Sequence, residues 1–352
     1  MGKKIKVGII GAGTIGSTHA KAYANVEDAE LIGLCDIDAE KLKLKAAQHG
    51  IPRTYASHME MLADPDIEAV SVCVPNYVHA PIAIDALKAG RHVLLEKPMT
   101  LNAELGRQIL KARDESGKIL QMGMVRRQSP EVEMMRKMIL AGKLGEVYQI
   151  NIKQIRRRGI PGLGGWFTTK AMSGGGALID IAVHSFDLAM WTTDLWEPTR
   201  ASAKTYSKFG SPIDGYHYVS MWAGPPKPEG TFDVDDYVTG MVRFGKKATM
   251  TFQVSWAANA KPENTTEILG TKGGVKIGDG DLVLRTEDDG QIVDVTPSFD
   301  NNRDAFAAEI AKFIAAINGE GEVPATGEQG VIMMRLLDAI YKSSELDMEV
   351  DV

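Results

Sequence analysis

The sequence predicts an α/β chain in two parts, a doubly wound parallel domain followed by an α/β domain built on an open, mostly antiparallel sheet. Three observations carry this. Short apolar, β-rich runs alternate with helical patterns over the first 125 residues, a G-x-G-x-x-G triplet joins the first run to the first helix, and from residue 152 the pattern turns β-rich. Alternation of strand and helix implies parallel pairing, because a parallel crossover needs a connection of helix length.

In order along the chain, the strands are "IKVGII", "ELIGLC", "AVSVCV", "HVLLE" and "ILQMGM". Between them "IGSTHAKAYANV", "DAEKLKLKAAQHG", "APIAIDALKAG" and "NAELGRQILKARDESG" space their apolar residues for one helix face. This places a dinucleotide-binding domain at 1–125 and a second domain at 126–352. In the second, β-rich runs at 152–158 and 234–295 are interrupted by glycine turns, and helices near 303–318 and 328–345 close the domain. No linker, repeat or low-complexity segment marks the chain.

At 352 residues, with 44% hydrophobic and 24% charged, the chain has material for two cores. The net charge of −6 gives no attraction to phosphate polyanions or anionic lipid, so neither nucleic acid nor membrane is expected as a partner. Cys35 and Cys73 both fall in apolar strands and read as buried, reduced thiols. The start "MGKKIKVGIIGAG" runs from lysines straight into a strand, unlike a signal peptide, and no run is long enough to span a bilayer. The expected location is the cytoplasm.

Gly11, Gly13 and Gly16 form the triplet, with Thr14 and Ile15 inside it. Glycines serve the tight turn, the close approach of backbone to pyrophosphate, and the packing of helix on strand. The phosphates would sit at the helix N-terminus. Asp36 ends the second strand, where a carboxylate accepts from ribose hydroxyls and repels a 2′-phosphate, so NAD is favoured over NADP. Lys41 is a nearby cation that can offset that repulsion. After "AVSVCV" stand Pro75, Asn76 and His79; Asn76 is either a ribose or carboxamide contact or an Asx turn at the helix start.

The stretch "HVLLEKPMT" ends an apolar strand on Glu96, Lys97 and Pro98. Lys97 is either a solvated partner of Glu96 or a group aimed into the cofactor crevice, and Pro98 fixes the backbone behind it. In "SGGGALIDIAVHSFD" a helix starting near Ala177 stacks Asp180, His184 and Asp187 at i, i+4 and i+7. Such a stripe faces a cavity or makes a buried histidine with aspartate partners. No His or Cys cluster accompanies it, so no metal is expected.

These motifs together resemble the Gfo/Idh/MocA family: the glycine triplet, Pro75-Asn76 with His79, Glu96-Lys97-Pro98, the run Gln121 to Arg127, and Gly174-Gly175-Gly176 leading to Asp180 and His184. The resemblance covers essentially the whole chain. It implies a Rossmann domain, a second α/β domain whose open sheet mediates homodimers or homotetramers, and reversible hydride transfer between a nicotinamide dinucleotide and a hydroxyl carbon of a sugar, cyclitol or derivative. It implies that Lys97, Asp180 and His184 are catalytic and touch substrate, and that Glu96, Lys97 and Gln121 lie at the cofactor. His184, its ordinary pKa being near neutral, would take the hydroxyl proton while Lys97 stabilises the developing alkoxide, or Lys97 is itself the formal base in a shared relay, and Asp180 orients a hydroxyl or the imidazole. Some resembling proteins keep NAD bound and cleave glycosides by oxidation, elimination and re-reduction; cleavage without net NADH separates that alternative.

Other features are individual. Arg156, Arg157 and Arg158 either bind an anionic substrate group or lie on a solvated or interface strand. Trp166 stacks on a sugar ring, shields the nicotinamide, or packs in the core. Arg126 and Arg127 match family positions near cofactor or substrate, with a surface ion pair as the alternative. The irregular segment 207–237, with Tyr216, His217 and Trp222, lines the pocket or reaches a neighbouring subunit.

Overall fold

The computed structural model describes residues 4–218, 221–278, 281–299 and 303–352. The chain divides into two compact units, Met1–Gln128 with Asn302–Val331, and Ser129–Asn301 with Ile332–Val352.

The first unit runs β1 (Ile5–Ile10), α1 (Thr14–Tyr23), β2 (Ala29–Cys35), α2 (Ala39–His49), β3 (Arg53–Tyr55), α3 (His58–Ala63), β4 (Ala69–Val72), α4 (His79–Lys88), β5 (His92–Glu96), α5 (Ala103–Ser116) and β6 (Leu120–Gly123). The sheet order is β3-β2-β1-β4-β5-β6, with every pair parallel. Every residue of β4 and β6 is buried, as expected of a sheet covered on both faces. The order reverses between β1 and β4, which opens a crevice beyond the strands' carboxyl ends. Local signals set the helix limits: Asp38 and Asn102 accept from the amides of Lys41 and Leu105, and Gly50 and Gly117 close α2 and α5 in the left-handed conformation. The β3–α3 pair escapes the sequence pattern, because a three-residue edge strand with two exposed positions carries no apolar run.

The division of the chain differs from a single cut at 125. The helix Ala305–Ile317 puts Ile310, Phe313 and Ile314 into the same core as Ile5, Val7, Ile9, Tyr23 and Leu34. The segment after it pairs Thr326 with Gln121 beside β6. The helix Gly327–Leu346 then carries the chain into the second unit.

The second unit contains α6 (Pro130–Leu140), β7 (Val147–Ile155), α7 (Lys170–Ser173), α8 (Val183–Thr193), β8 (Arg200–Tyr206), β9 (Tyr237–Phe244), β10 (Ala248–Ser255), β11 (Glu263–Gly270), β12 (Gly273–Gly278), β13 (Asp281–Asp288), β14 (Gln291–Val295) and β15 (Val350–Asp351). Its nine-stranded sheet has the order β14-β13-β12-β11-β7-β10-β9-β8-β15, and β7 and β10 are its parallel pair. Alternation sorts the two faces: Met250, Phe252 and Val254 of β10 are buried, and Phe252 meets Phe186 of α8 edge-to-face. The other face is polar, with Thr251 donating to Asn151 and Asn151 to Glu267 across three strands.

No helix among the described residues is long and apolar enough to cross a membrane. Both cysteines are free and buried, and burial, then the Asp36 charge, pushes the Cys35 thiol up to about 12.

Candidate active site

In the first unit each glycine of the triplet has its own steric reason. Gly11 has φ +106°, and a Cβ there would lie 2.2 Å from the carbonyl oxygen of Cys73. A Cβ on Gly16 would lie 1.9 Å from the carbonyl oxygen of Gly11, so α1 can approach the loop only without a side chain. Gly13 differs: its Cβ would meet nothing within 4 Å, so the bare backbone faces open space. The first amides of a helix have no intrahelical partner, and here neither a side-chain cap nor a first-turn acid occupies them. Thr14 and Ile15 supply those amides. This fits a pyrophosphate better than any protein partner.

Asp36 stands at the end of β2 with its carboxylate mostly buried. One oxygen accepts from the amide of Ala12 at 2.8 Å and the other from Asp38 at 2.9 Å, which locks the loop to the acid. Lys41 Nζ lies 3.2 Å from the same carboxylate. Ile37, next in the chain, is almost fully exposed.

Glu96 ends β5, Lys97 follows it, and the Lys97–Pro98 bond is cis. Glu96 is buried; one oxygen accepts from His19 Nε2 at 2.9 Å, the other from the Lys97 amide at 3.2 Å. Burial pushes the Glu96 carboxyl up, yet the His19 hydrogen bond, the His19 charge and the Lys97 charge outweigh it and hold it below the usual range. His19 comes from α1, so the helix that begins at the glycine loop is tied to the strand end that carries Lys97. His79 is also buried, its Nδ1 and Nε2 each 2.8 Å from the carbonyl oxygens of Pro98 and Val74. Both ring nitrogens are thus engaged with backbone, and His79 joins the two loops that carry Val74 and Pro98. Asn76 begins a short 3₁₀ turn after Pro75, and α4 behind it has no side-chain cap.

Two residues expected at a ligand are deeply buried. Gln121 is fully buried, with its amide donating to the carbonyl of Glu309 at 3.3 Å. Arg127, expected at the substrate, is 1% exposed and donates to Pro324 O at 2.6 Å and Gln329 Oε1 at 2.8 Å. It braces the segment that returns to β6.

In the second unit the chain leaves α7 through Gly174, Gly175 and Gly176. Cβ atoms on the last two would lie 1.9 Å from Tyr341 Oη and 1.8 Å from Asp235 O, so the turn needs glycine. The helix does not begin as a plain α-helix. Leu178–Ala182 form a π turn that leads into α8, an irregularity frequent at functional sites. From Gly175 to Met190 every residue is buried except His184, and Asp180 is at the margin at 9%. Trp256, directly after β10, donates from its indole Nε1 to Asp180 Oδ2 at 3.0 Å. Asp187 is buried.

Arg156, Arg157 and Arg158 lie past the end of β7, so strand alternation does not sort them. Arg158 is committed: it donates to Arg157 O, Ala258 O and Asn259 Oδ1 and stacks on Phe209. Arg156 and Arg157 are exposed, with no ion pair among the described residues. Trp166 is half-buried, stacked on Phe167 at 3.7 Å, and Phe167 meets the exposed Trp222 edge-on. Among the described residues no group of three or more His, Cys, Asp or Glu is arranged to hold a metal.

Residues 5–124 match the family model described as an oxidoreductase family with an NAD-binding Rossmann fold, and residues 132–276 match the C-terminal domain of the same family. The chain belongs to the Gfo/Idh/MocA family. It is therefore an NAD-binding oxidoreductase. Among relatives, D-glucoside 3-dehydrogenase of Escherichia coli (strain K12) is 29% identical, over 99% of this chain and 97% of its own. Inositol 2-dehydrogenase of Rhizobium meliloti (strain 1021) is 28% identical over 96% of each. A levoglucosan dehydrogenase solved in complex with NADH superposes with a TM-score of 0.87 at 25% identity, covering 99% of both chains.

Sequence reasoning missed His19, Asp235 and Trp256. His19 had a signal, since it shares the buried face of α1 with Gly16, Ala20 and Tyr23, where a histidine needs a polar partner.

Proposed function

We propose that this protein oxidises a secondary hydroxyl of a sugar, cyclitol or close derivative, reversibly, with NAD as hydride acceptor. The observation that supports it best is the pair Asp180 and His184 on an otherwise closed stretch of helix, in a chain whose other unit carries Lys97 on a braced strand end. Bound NAD supplies an electrophilic ring carbon that takes up the hydride. The protein's residues handle the proton. His184 accepts it from the substrate hydroxyl, Lys97 donates a hydrogen bond to that oxygen as negative charge develops, and Asp180 orients the imidazole or a neighbouring hydroxyl.

Arg156, just past the end of β7 and without an ion pair among the described residues, is proposed to meet a polar or anionic substituent of the substrate, and Trp166 to stack on its ring. Asp36 favours the free ribose hydroxyls of NAD over the phosphate of NADP. The polar open face of the nine-stranded sheet is proposed as the homodimer or homotetramer contact, and the cytoplasm as the working compartment. The test is NADH formation at mildly alkaline pH, with NAD and NADP separately, across free sugars, inositols, sugar acids and glycosides. Reduction confined to one polyol class supports the reading. Glycoside cleavage with no net NADH, or no reaction with any polyol, contradicts it.

A further inference from the structure

Trp256 is fully buried and carries a single side-chain donor, the indole N–H, which is given to Asp180. Its backbone is pinned on both sides: its amide donates to Asp236 O at 2.9 Å, and its carbonyl accepts from Gly159 at 2.7 Å. The main chain that carries the indole is therefore fixed at the end of β10, and full burial encloses the ring. The π turn holding Asp180 is fixed from its other side. Asp235 accepts from the amides of Gly176 at 2.8 Å and Leu178 at 2.9 Å, and Tyr341 Oη–H donates to it at 2.8 Å. Asp235 and Asp236 are consecutive, so one dipeptide holds both the start of the turn and the tryptophan that meets the carboxylate.

We propose that Trp256 is a positioning residue for Asp180, holding Oδ2 through the indole N–H so that Oδ1 is presented to the imidazole or a substrate hydroxyl. The inference rests on the catalytic reading of Asp180 given above. A hydrogen bond to an ionised group is stronger than a neutral one and fixes direction as well as distance. Small losses of alignment at a reacting centre are costly to rate, which is why a fully buried, backbone-pinned donor suits this task. A core tryptophan that merely needs an acceptor for its N–H is the competing account. The two differ in whether the effect of Trp256 passes through Asp180.

The experiment is a double-mutant cycle of Trp256→Phe and Asp180→Ala in the full chain, with indole ¹H–¹⁵N spectra of the five tryptophans. Trp256→Phe should lower kcat by about 10- to 100-fold, with NADH affinity unchanged. In the Asp180→Ala background the same substitution should lower kcat less than about 2-fold, since coupled residues are not additive. In the spectra, Asp180→Ala should move one indole N–H signal upfield and leave the other four in place. An equal loss in both backgrounds makes Trp256 a core residue and overturns the proposal; so does an indole spectrum indifferent to Asp180→Ala. The spectrum needs no change at Trp256, so it decides the contact even if Trp256→Phe does not fold. A wild type inactive on every polyol, with the indole responding, overturns the dehydrogenase reading and the catalytic role with it, and is told apart from loss of the contact.

Discussion

Replacing Gly13 by alanine separates cofactor binding from folding. The backbone there has φ −73° and ψ −165°, open to any L-residue, and the added methyl meets nothing within 4 Å. Alanine is a poorer N-cap than glycine by up to about 1 kcal/mol, and it regains about 0.4–1 kcal/mol by restricting the unfolded chain. The ligand-free protein should therefore keep its Tm to within about 3 °C. A pyrophosphate drawn onto the Gly13 amide must approach the bare backbone, and the methyl occupies that approach. Losing one charge-assisted hydrogen bond costs about 1.5–3 kcal/mol, so the NADH Kd should rise by about 10- to 150-fold. Gly16→Ala should behave in the opposite way, because its methyl would overlap the Gly11 carbonyl and the loop itself must shift. NADH fluorescence titration and thermal unfolding of both variants are the assays. Gly13→Ala binding NADH within about 3-fold of wild type would show that the phosphates do not pass there, and the glycine-loop argument would be wrong.

Three further outcomes follow from the fold. Phe313→Ala should destabilise the first unit by about 3–5 kcal/mol in urea unfolding, because that ring is fully buried in the core around β1; an effect below about 1 kcal/mol would detach the helix from that core. His92 is held down to about 4 by burial, then by the charge of Lys118, and its Nδ1 accepts from the Ile119 amide at 3.1 Å, which requires the unprotonated ring. The unfolded imidazole protonates near pH 6.5, so acidification from about 6.5 to 4 favours the unfolded chain. Stability should fall by about 1–2 kcal/mol over that window, less than the full shift because the ring is partly exposed; His92→Asn should flatten this slope, and an unchanged slope would exclude His92 as its source. Arg127→Met should lower stability by about 3 kcal/mol, leaving buried acceptors at Pro324 and Gln329, while the substrate KM stays within about 2-fold of wild type; a large KM effect would restore it as a substrate contact.

Much of the first unit was legible because buried parallel strands read as unbroken apolar runs. "IKVGII" and "HVLLE" coincide with β1 and β5 residue for residue. The membership of Ala305–Ile317 was not legible, since an amphipathic stripe announces that a core exists without saying which one. The same limit applies to the site. Gly11, Gly13, Gly16 and Lys97 are marked by local motifs whose residue types have few other uses. The partners that hold the site together are recorded only in three dimensions: His19 meets Glu96 and Trp256 meets Asp180 across 77 and 76 positions. Arg127 shows the converse, a motif-adjacent cation whose burial no local pattern reveals. The arginine run also misled the strand assignment, because β7 ends at Ile155 and its last turn of polar charge belongs to a loop.

The most direct test of the central claim is a single-turnover measurement of NADH formation with a polyol substrate, comparing wild type with Lys97→Ala and His184→Ala, alongside NADH binding by each. Both variants should fall by at least about 100-fold in the rate of NADH formation, and His184→Ala should keep NADH affinity near that of wild type. Variants that reduce NAD at the wild-type rate would remove Lys97 and His184 from the chemistry and contradict the account.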